Sequence, residues 1–428
     1  MSSTADLVIR GARVLDSVER IDQVLDVRLD GGVISHLGES VDANGHRVID
    51  AAGRILAPAF VDPHVHLRTP GREDEETFAT GAAAAAAGGY CAILAIPNTD
   101  PVVDDPELLR SLRARAAEEA CIPIGFLAAL TKGQNGAELS DLGALADAGA
   151  VGFTDDGRPV TSAGVMRRAL QYNAVTGKPV AVHCEESSLT RGAHAHAGPV
   201  AAELGLGGWP SLGESLMVAR DVELATATGQ HVHLMHLSAR QSVEHLRRAR
   251  AASARVTAEA TPHHLCLTDE AVRTLDPNMK MNPPLRTEED RAALIDAVRD
   301  GTIAAIATDH APHSPEEKDV PFEAAPFGVT GLETAFAALY TYLVEPDVLA
   351  LETVLERMSA GPAAIFGLDR PRIAVGAPAN LTLIDPVAGW RVRAERFRSR
   401  SSNSWLLGRR LHARIALTIA AGKVVHEL

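Results

Sequence analysis

FVDPHVHLRTPGREDEETFATGAAAAAAGGYCAILA, residues 60–95, reads as strand, helix and strand in succession. FVDPHV is short and apolar, and it ends in histidines at 64 and 66 with an arginine at 68. Alternate side chains of an extended segment share a face, so His64, His66 and Arg68 point one way. An HxH pair alone fits two ordinary buried histidines as well as a metal site. The alanine run from residue 82 suits a helix packed closely against its neighbour. YCAILA is apolar again and reads as a second strand. Two strands joined through a helix imply a parallel pair with a crossover.

The pattern repeats down the chain. IPIGFLAAL, GAVGFTDD, PVAVHCEE, HVHLMHLS, RVTAEATPHH and TIAAIATDHAPH are candidate strands, most followed by helix-like stretches such as SARQSVEHLRRARAA. Eight such units over roughly 300 residues fit a (β/α)8 TIM-type barrel. An open doubly wound sheet would call for an early GxGxxG, which is missing. Both chain ends carry short β patterns, including a hairpin signal at Asp30-Gly31-Gly32. The expected organisation is a barrel over 58–370 and a small β-sandwich domain built from 1–57 and 371–428.

Composition narrows the function. The net charge of −14 disfavours nucleic acid or an anionic membrane as partner. The basic run from Arg391 to Arg400 reads as a solvated face or a subunit contact. No apolar segment approaches a membrane span, and no secretion signal is evident. Four scattered cysteines without CxxC spacing point to a reducing, cytoplasmic setting.

Barrel enzymes carry their chemistry at the C-terminal ends of the strands. Those positions hold His64, His66 and Arg68, then Asn98, Asp155 and Asp156, His183, His236, and finally Asp309, His310 and His313. A capping-box pattern at Ser238–Gln241 marks the next helix and places His236 at the top of its strand. His231 and His233 fall lower and read as structural. Four imidazoles and two carboxylates exceed one tetrahedral zinc but suit two metals sharing a carboxylate. Nitrogen and oxygen donors make zinc the first choice, with manganese, cobalt or iron as alternatives.

DPHVHLRTPG, AIPNTDP, GFTDDG, VHCEE, MHLS, TPHHL, MNPPLR and ATDHAPH stand in the order found in bacterial type I dihydroorotases, and the chain resembles that family of the amidohydrolase superfamily along nearly its whole length. The resemblance implies two zinc ions, one on His64, His66 and Asp309, the other on His183 and His236. Asp156 is the matching bridge, with Asp155 the neighbouring alternative. Many superfamily members bridge through a carboxylated lysine on strand four, and GAVGFTDDG has none. The implied reaction is the reversible cyclisation of N-carbamoyl-L-aspartate to L-dihydroorotate in pyrimidine synthesis. A metal-bridging hydroxide would attack, with Asp309 as general acid and base. Arg68, Asn98, Asn282 and His313 would hold the substrate carboxylate. Phe327 and Gly328, in the long segment after strand eight, would meet the ring through their backbone. His66 and Leu67 complete the implied substrate contacts, while His263 and His264 are read as supporting residues. A homo-oligomer and a complex with aspartate transcarbamoylase are the implied partners.

Two stretches depart from the family pattern. HLRTPG has Thr69 where an acidic residue is usual, which would affect the substrate arginine. SSNSWLLG replaces an SxNTPF-like stretch and would affect domain packing. Rival readings are an allantoinase or hydantoinase and a catalytically dead scaffold. The missing strand-four lysine weighs against the first, and the complete ligand set weighs against the second.

Overall fold

The computed structural model describes residues 4–428, so residues 1–3 of the first expected segment lie outside it. Eight parallel strands form the barrel: Phe60–Val65, Tyr90–Ala95, Ile124–Ala128, Gly152–Thr154, Val180–Val182, Val232–Leu234, Val256–Ala260 and Ala305–Ile306. They pair in chain order, and the segment just after the eighth returns to the first. At that joint Val65 bridges His310, and the His66 amide donates to the His310 carbonyl at 2.9 Å. Asp62 adds a tie below, accepting from the amides of His64 at 3.1 Å and Thr308 at 3.2 Å. Burial pushes its carboxyl up to about 7, although those donors and the Thr308 hydroxyl pull it back down.

Helix Phe78–Ala87 links the first two barrel strands as the alanine run requires. Thr77 caps it in a capping box with Thr80. Ala82, Ala84, Ala85 and Ala86 are buried, and a Cβ on Gly81 would come within 2.4 Å of the Leu67 side chain. Only glycine lets this helix sit so close to the strand end. The outer end of the helix is held by the Thr418 hydroxyl, which donates to the Ala86 carbonyl at 2.7 Å.

The two chain ends build one eight-stranded sheet, as expected for a small β domain assembled from both termini. Strands Lys423–Glu427, Arg414–Ala420, Leu381–Asp385, Ile55–Pro58, Leu7–Asp16, Ile21–Asp30 and Val33–Gly38 follow one path, with Arg47–Asp50 beside Leu7–Asp16. The Asp30-Gly31-Gly32 signal is the hairpin between two of them. Their core includes Ile9, Val27, Leu29, Ile34, Leu56, Leu383 and Ile419. The run ILAPAFVDPHVH, residues 55–66, is divided at Ala59. Its first four residues pair in the end sheet and its continuation enters the barrel. Between Asp385 and Arg414 the chain also leaves the end sheet and crosses the barrel. There Val392, Trp405 and Leu406 pack with Met281, Phe322 and Val329. Among the described residues no helix is long and apolar enough to cross a membrane, and all four cysteines are free.

Candidate active site

Three strand ends turn through left-handed backbone at residues other than glycine: Arg68 (φ 55°), His236 (φ 31°) and Asp309 (φ 48°). Such conformations cost free energy and concentrate where side chains must be aimed. Here they bring His64, His66, Asp156, His183, His236 and Asp309 into one buried cluster. His66 Nε2 lies 3.1 Å from Asp309 Oδ1, and His64 Nε2 lies 3.4 Å from the same oxygen. His183 Nδ1 and His236 Nε2 are 2.9 Å apart.

Asp156 stands between the two imidazole pairs. Its Oδ2 faces His64 Nε2 at 3.6 Å and His66 Nε2 at 3.4 Å, while its Oδ1 faces His183 Nδ1 at 3.6 Å and His236 Nε2 at 3.5 Å. Asp155 turns the other way, accepting from the Thr131 amide at 3.0 Å and from the Thr131 hydroxyl. Burial brings the Asp155 carboxyl up to about 6 against those hydrogen bonds. His64 Nε2 and Asp156 Oδ1 are buried without a hydrogen-bond partner among the described residues. Buried polar atoms left unpaired are costly, and a converging set of imidazoles and carboxylates fits a divalent metal that would pair them. The groupings His64–Asp156–His236 and His64–His66–Asp309 each place three donor atoms within 4.8 Å of one another.

Below the cluster runs a column of polar side chains in which Glu259 and Thr257 were not anticipated from sequence. His64 Nδ1 meets Glu259 Oε1 at 2.7 Å, and Glu259 Oε2 meets His233 Nε2 at 2.9 Å. His233 Nδ1 and His231 Nε2 both reach the Thr257 hydroxyl at 2.9 Å. Burial alone would raise the Glu259 carboxyl, but its bonds with His233 and His64 win and bring it down to about 2. An ionised Glu259 fixes which nitrogen of His64 points into the cluster. The one available signal was a carboxylate flanked by alanines in an otherwise buried strand. His231 and His233 serve as structural residues, as expected. The Ser238–Gln241 capping box does not form. Ala239 is the cap residue of helix Arg240–Ala251, Ser238 donates to Glu214, and the Arg240 amide bonds Asp290 at 2.8 Å.

Above the cluster lies a cleft of about 360 Å³ lined by Arg68, Asn98, His313 and Glu75, among others. Asn98 Oδ1 accepts from His66 Nδ1 at 2.9 Å, so its carbonyl already orients a ligand candidate. Arg68 Nε lies 3.0 Å from Glu75 and 3.1 Å from the Pro312 carbonyl. His313 Nε2 lies 2.8 Å from the Phe327 carbonyl. The Gly328 carbonyl accepts from Asn403 at 3.2 Å, and a Cβ on Gly328 (φ 114°) would come within 2.6 Å of Ala311. Asn282 Nδ2 reaches Glu185 at 3.4 Å, and its Oδ1 is buried without a partner among the described residues. Glu185 in turn meets His183 Nε2 at 3.0 Å. The Leu67 side chain is in the core and does not line the cleft. His264 ties Thr261 to the Pro283 carbonyl, and His263 packs against it.

Both sequence departures find a physical reading. Thr69 is turned inward, its hydroxyl donating to the Glu76 carbonyl at 3.2 Å, away from the arginine it follows. SSNSWLLG packs Trp405 and Leu406 onto the barrel beside Met281, Phe322 and Val329, as expected of a packing stretch, and it has a second task. Asn403 holds the Ala311 and Gly328 carbonyls and accepts from the His313 amide at 3.0 Å, so this stretch straps the loop after strand eight.

A family model described as dihydro-orotase-like matches residues 53–242. The chain is 46% identical over 423 residues to the dihydroorotase of Geotalea daltonii, covering 99% of each chain. It is 45% identical over 403 residues to that of Geobacillus thermodenitrificans, covering 94% of each. In fold it is similar to the L-hydantoinase (dihydropyrimidinase) from Arthrobacter aurescens, with a TM-score of 0.88 at 25% identity over 99% of this chain and 96% of that one. Identity at that level along nearly the full length of both chains places this chain in the dihydroorotase family.

Proposed function

We propose that the protein is a metal-dependent dihydroorotase, a cyclic-amide hydrolase that interconverts N-carbamoyl-L-aspartate and L-dihydroorotate. The observation that carries the reading is the Asp156 carboxylate set between the His64–His66 and His183–His236 pairs, with Asp309 against His66. His64, His66 and Asp309 would hold one divalent ion, His183 and His236 a second, and Asp156 both, with zinc the first choice. When bound, the ions supply Lewis acidity and lower the pKa of water.

The chain's own residues account for the remaining steps. Asp309 takes the proton of the attacking water and delivers it to the departing ring nitrogen, as the C–N bond breaks. In the cyclising direction it takes the proton from the amide nitrogen and returns it to the leaving water. Arg68 offers a planar fork to the substrate carboxylate, and Asn98, Asn282 and His313 line its approach. The Phe327 and Gly328 backbone covers the ring.

A hydantoinase is the second reading, favoured by the fold similarity to L-hydantoinase. Strand four ends in Thr154, Asp155 and Asp156, with no lysine to carboxylate, and this supports the dihydroorotase reading. The test is ring opening of L-dihydroorotate by zinc-loaded protein, with hydantoin and allantoin alongside. Turnover of dihydroorotate alone, lost on chelation, is expected. Turnover of hydantoin instead would overturn the assignment, and inactivity on all three would favour the scaffold. Four free cysteines support a cytoplasmic setting. Self-association and a complex with aspartate transcarbamoylase rest on the resemblance alone, and light scattering with and without that enzyme tests them.

A further inference from the structure

The residue beside Arg68 in sequence is not the one that holds it. Thr69 is 2% exposed and bonds the Glu76 carbonyl, so it offers nothing to the guanidinium. A tight turn folds the following residues back. The Arg72 amide donates to the Arg68 carbonyl at 2.9 Å, and the Glu75 amide donates to the Arg72 carbonyl at 3.0 Å. Glu75 thereby returns to Arg68, and its side chain is 2% exposed.

The contacts divide the guanidinium into two edges. Glu75 Oε2 lies 3.0 Å from Arg68 Nε, and the Pro312 carbonyl takes the same nitrogen at 3.1 Å. Glu75 Oε1 faces Arg72 Nη2 at 3.1 Å and His313 Nδ1 at 3.3 Å, and Glu317 shares those two partners. The terminal edge of Arg68 has only His313, 3.5 Å from Nη2, and Nη1 has no hydrogen-bond partner among the described residues. Arg68 lines the cleft together with His313 and Asn98. A carboxylate ion-paired on the Nε side, where the N–H itself donates to Pro312, leaves the Nη edge, met only by His313 at 3.5 Å, for a second, bidentate carboxylate.

We infer that Glu75 is a positioning residue for substrate binding. It supplies from six residues downstream the acidic partner that position 69 lacks, and so aims the terminal edge of Arg68 at the substrate carboxylate. This rests on the proposed role of Arg68, so the experiment tests both. Steady-state kinetics on L-dihydroorotate are compared for the metal-loaded parent, Glu75→Ala, Glu75→Gln, Arg68→Ala and the Arg68→Ala/Glu75→Ala pair. Glu75→Ala should raise KM on the order of tenfold, with kcat changed far less. Glu75→Gln keeps the length and one acceptor, and should recover part of that loss. It also carries the test should the alanine variant fail to fold. In the Arg68→Ala background, loss of Glu75 should add little. A KM that stays level or falls in both Glu75 variants, while Arg68→Ala raises it, overturns the inference. A fall would mean that Glu75 competes with substrate for the guanidinium. Additive effects in the pair would make Glu75 act elsewhere and overturn it too. If Arg68→Ala leaves KM unchanged, the reading of Arg68 itself is wrong and the inference goes with it.

Discussion

Asp155 and Asp156 are neighbours whose carboxylates diverge, one bound by Thr131 and the other set among four imidazoles. Sequence shows two adjacent acids at a strand end, but the partner that separates them sits 24 residues earlier at the end of strand three. Glu259 was illegible for the same reason, since its worth depends on His64, 195 residues away. His64, His66, His183, His236 and Asp309 were legible because strand ends can be located from apolar runs and each carries its own polar residue. At this scale Asp309→Ala should lower turnover by roughly a thousandfold or more. Its circular dichroism should stay that of the parent, and its melting temperature should fall no further than that of the chelated parent. A variant retaining most of its turnover would remove Asp309 from the proton transfer. Glu259→Gln should weaken metal binding by about 10–100-fold, read by chelator competition, because a neutral amide no longer holds the His64 ring as an anion does.

The elements follow from local pattern where the partner is nearby and escape it where the partner is distant. Phe78–Ala87 is capped by its own Thr77 and Thr80 and was readable as a helix. Arg240–Ala251 is a helix where expected, yet its first turn is served by Asp290 from another helix. The loop after strand eight reads as long and rich in proline. Its anchors lie elsewhere: Lys280 donates to the Glu323 and Ala325 carbonyls at 2.8 Å each, and Asn403 ties Ala311 and Gly328. Asn403→Ala should cost about 1 kcal/mol for each hydrogen bond lost. The loosening should register as faster amide exchange across 325–330 and a raised KM, with melting temperature little changed. Unaltered exchange there would mean the loop is held without the strap.

At the scale of the molecule, fold class and the pairing of the two chain ends were legible because alternation of strand and helix is a repeated signal. The crossing of residues 386–413 over the barrel was not, since those residues carry no long periodic run. Metal and fold are coupled by mass action. Zinc at a thousandfold over its dissociation constant should stabilise the folded chain by about 4 kcal/mol, and chelation should lower the melting temperature accordingly. An unchanged melt on chelation would mean that the folded chain holds no ion more tightly than the unfolded one does. The joint between the first and eighth strands gives that coupling a location. Each of the other strand pairs shares two or more paired positions, whereas here Val65–His310 is the single bridge. His64 and His66 stand on one side of this joint and Asp309 on the other. An ion gripped from both sides works as a latch on a hoop, and removing it should let the cylinder part along that line first. The amides of His66 and Thr308 would then be the earliest to exchange, well before those in the middle of the staves.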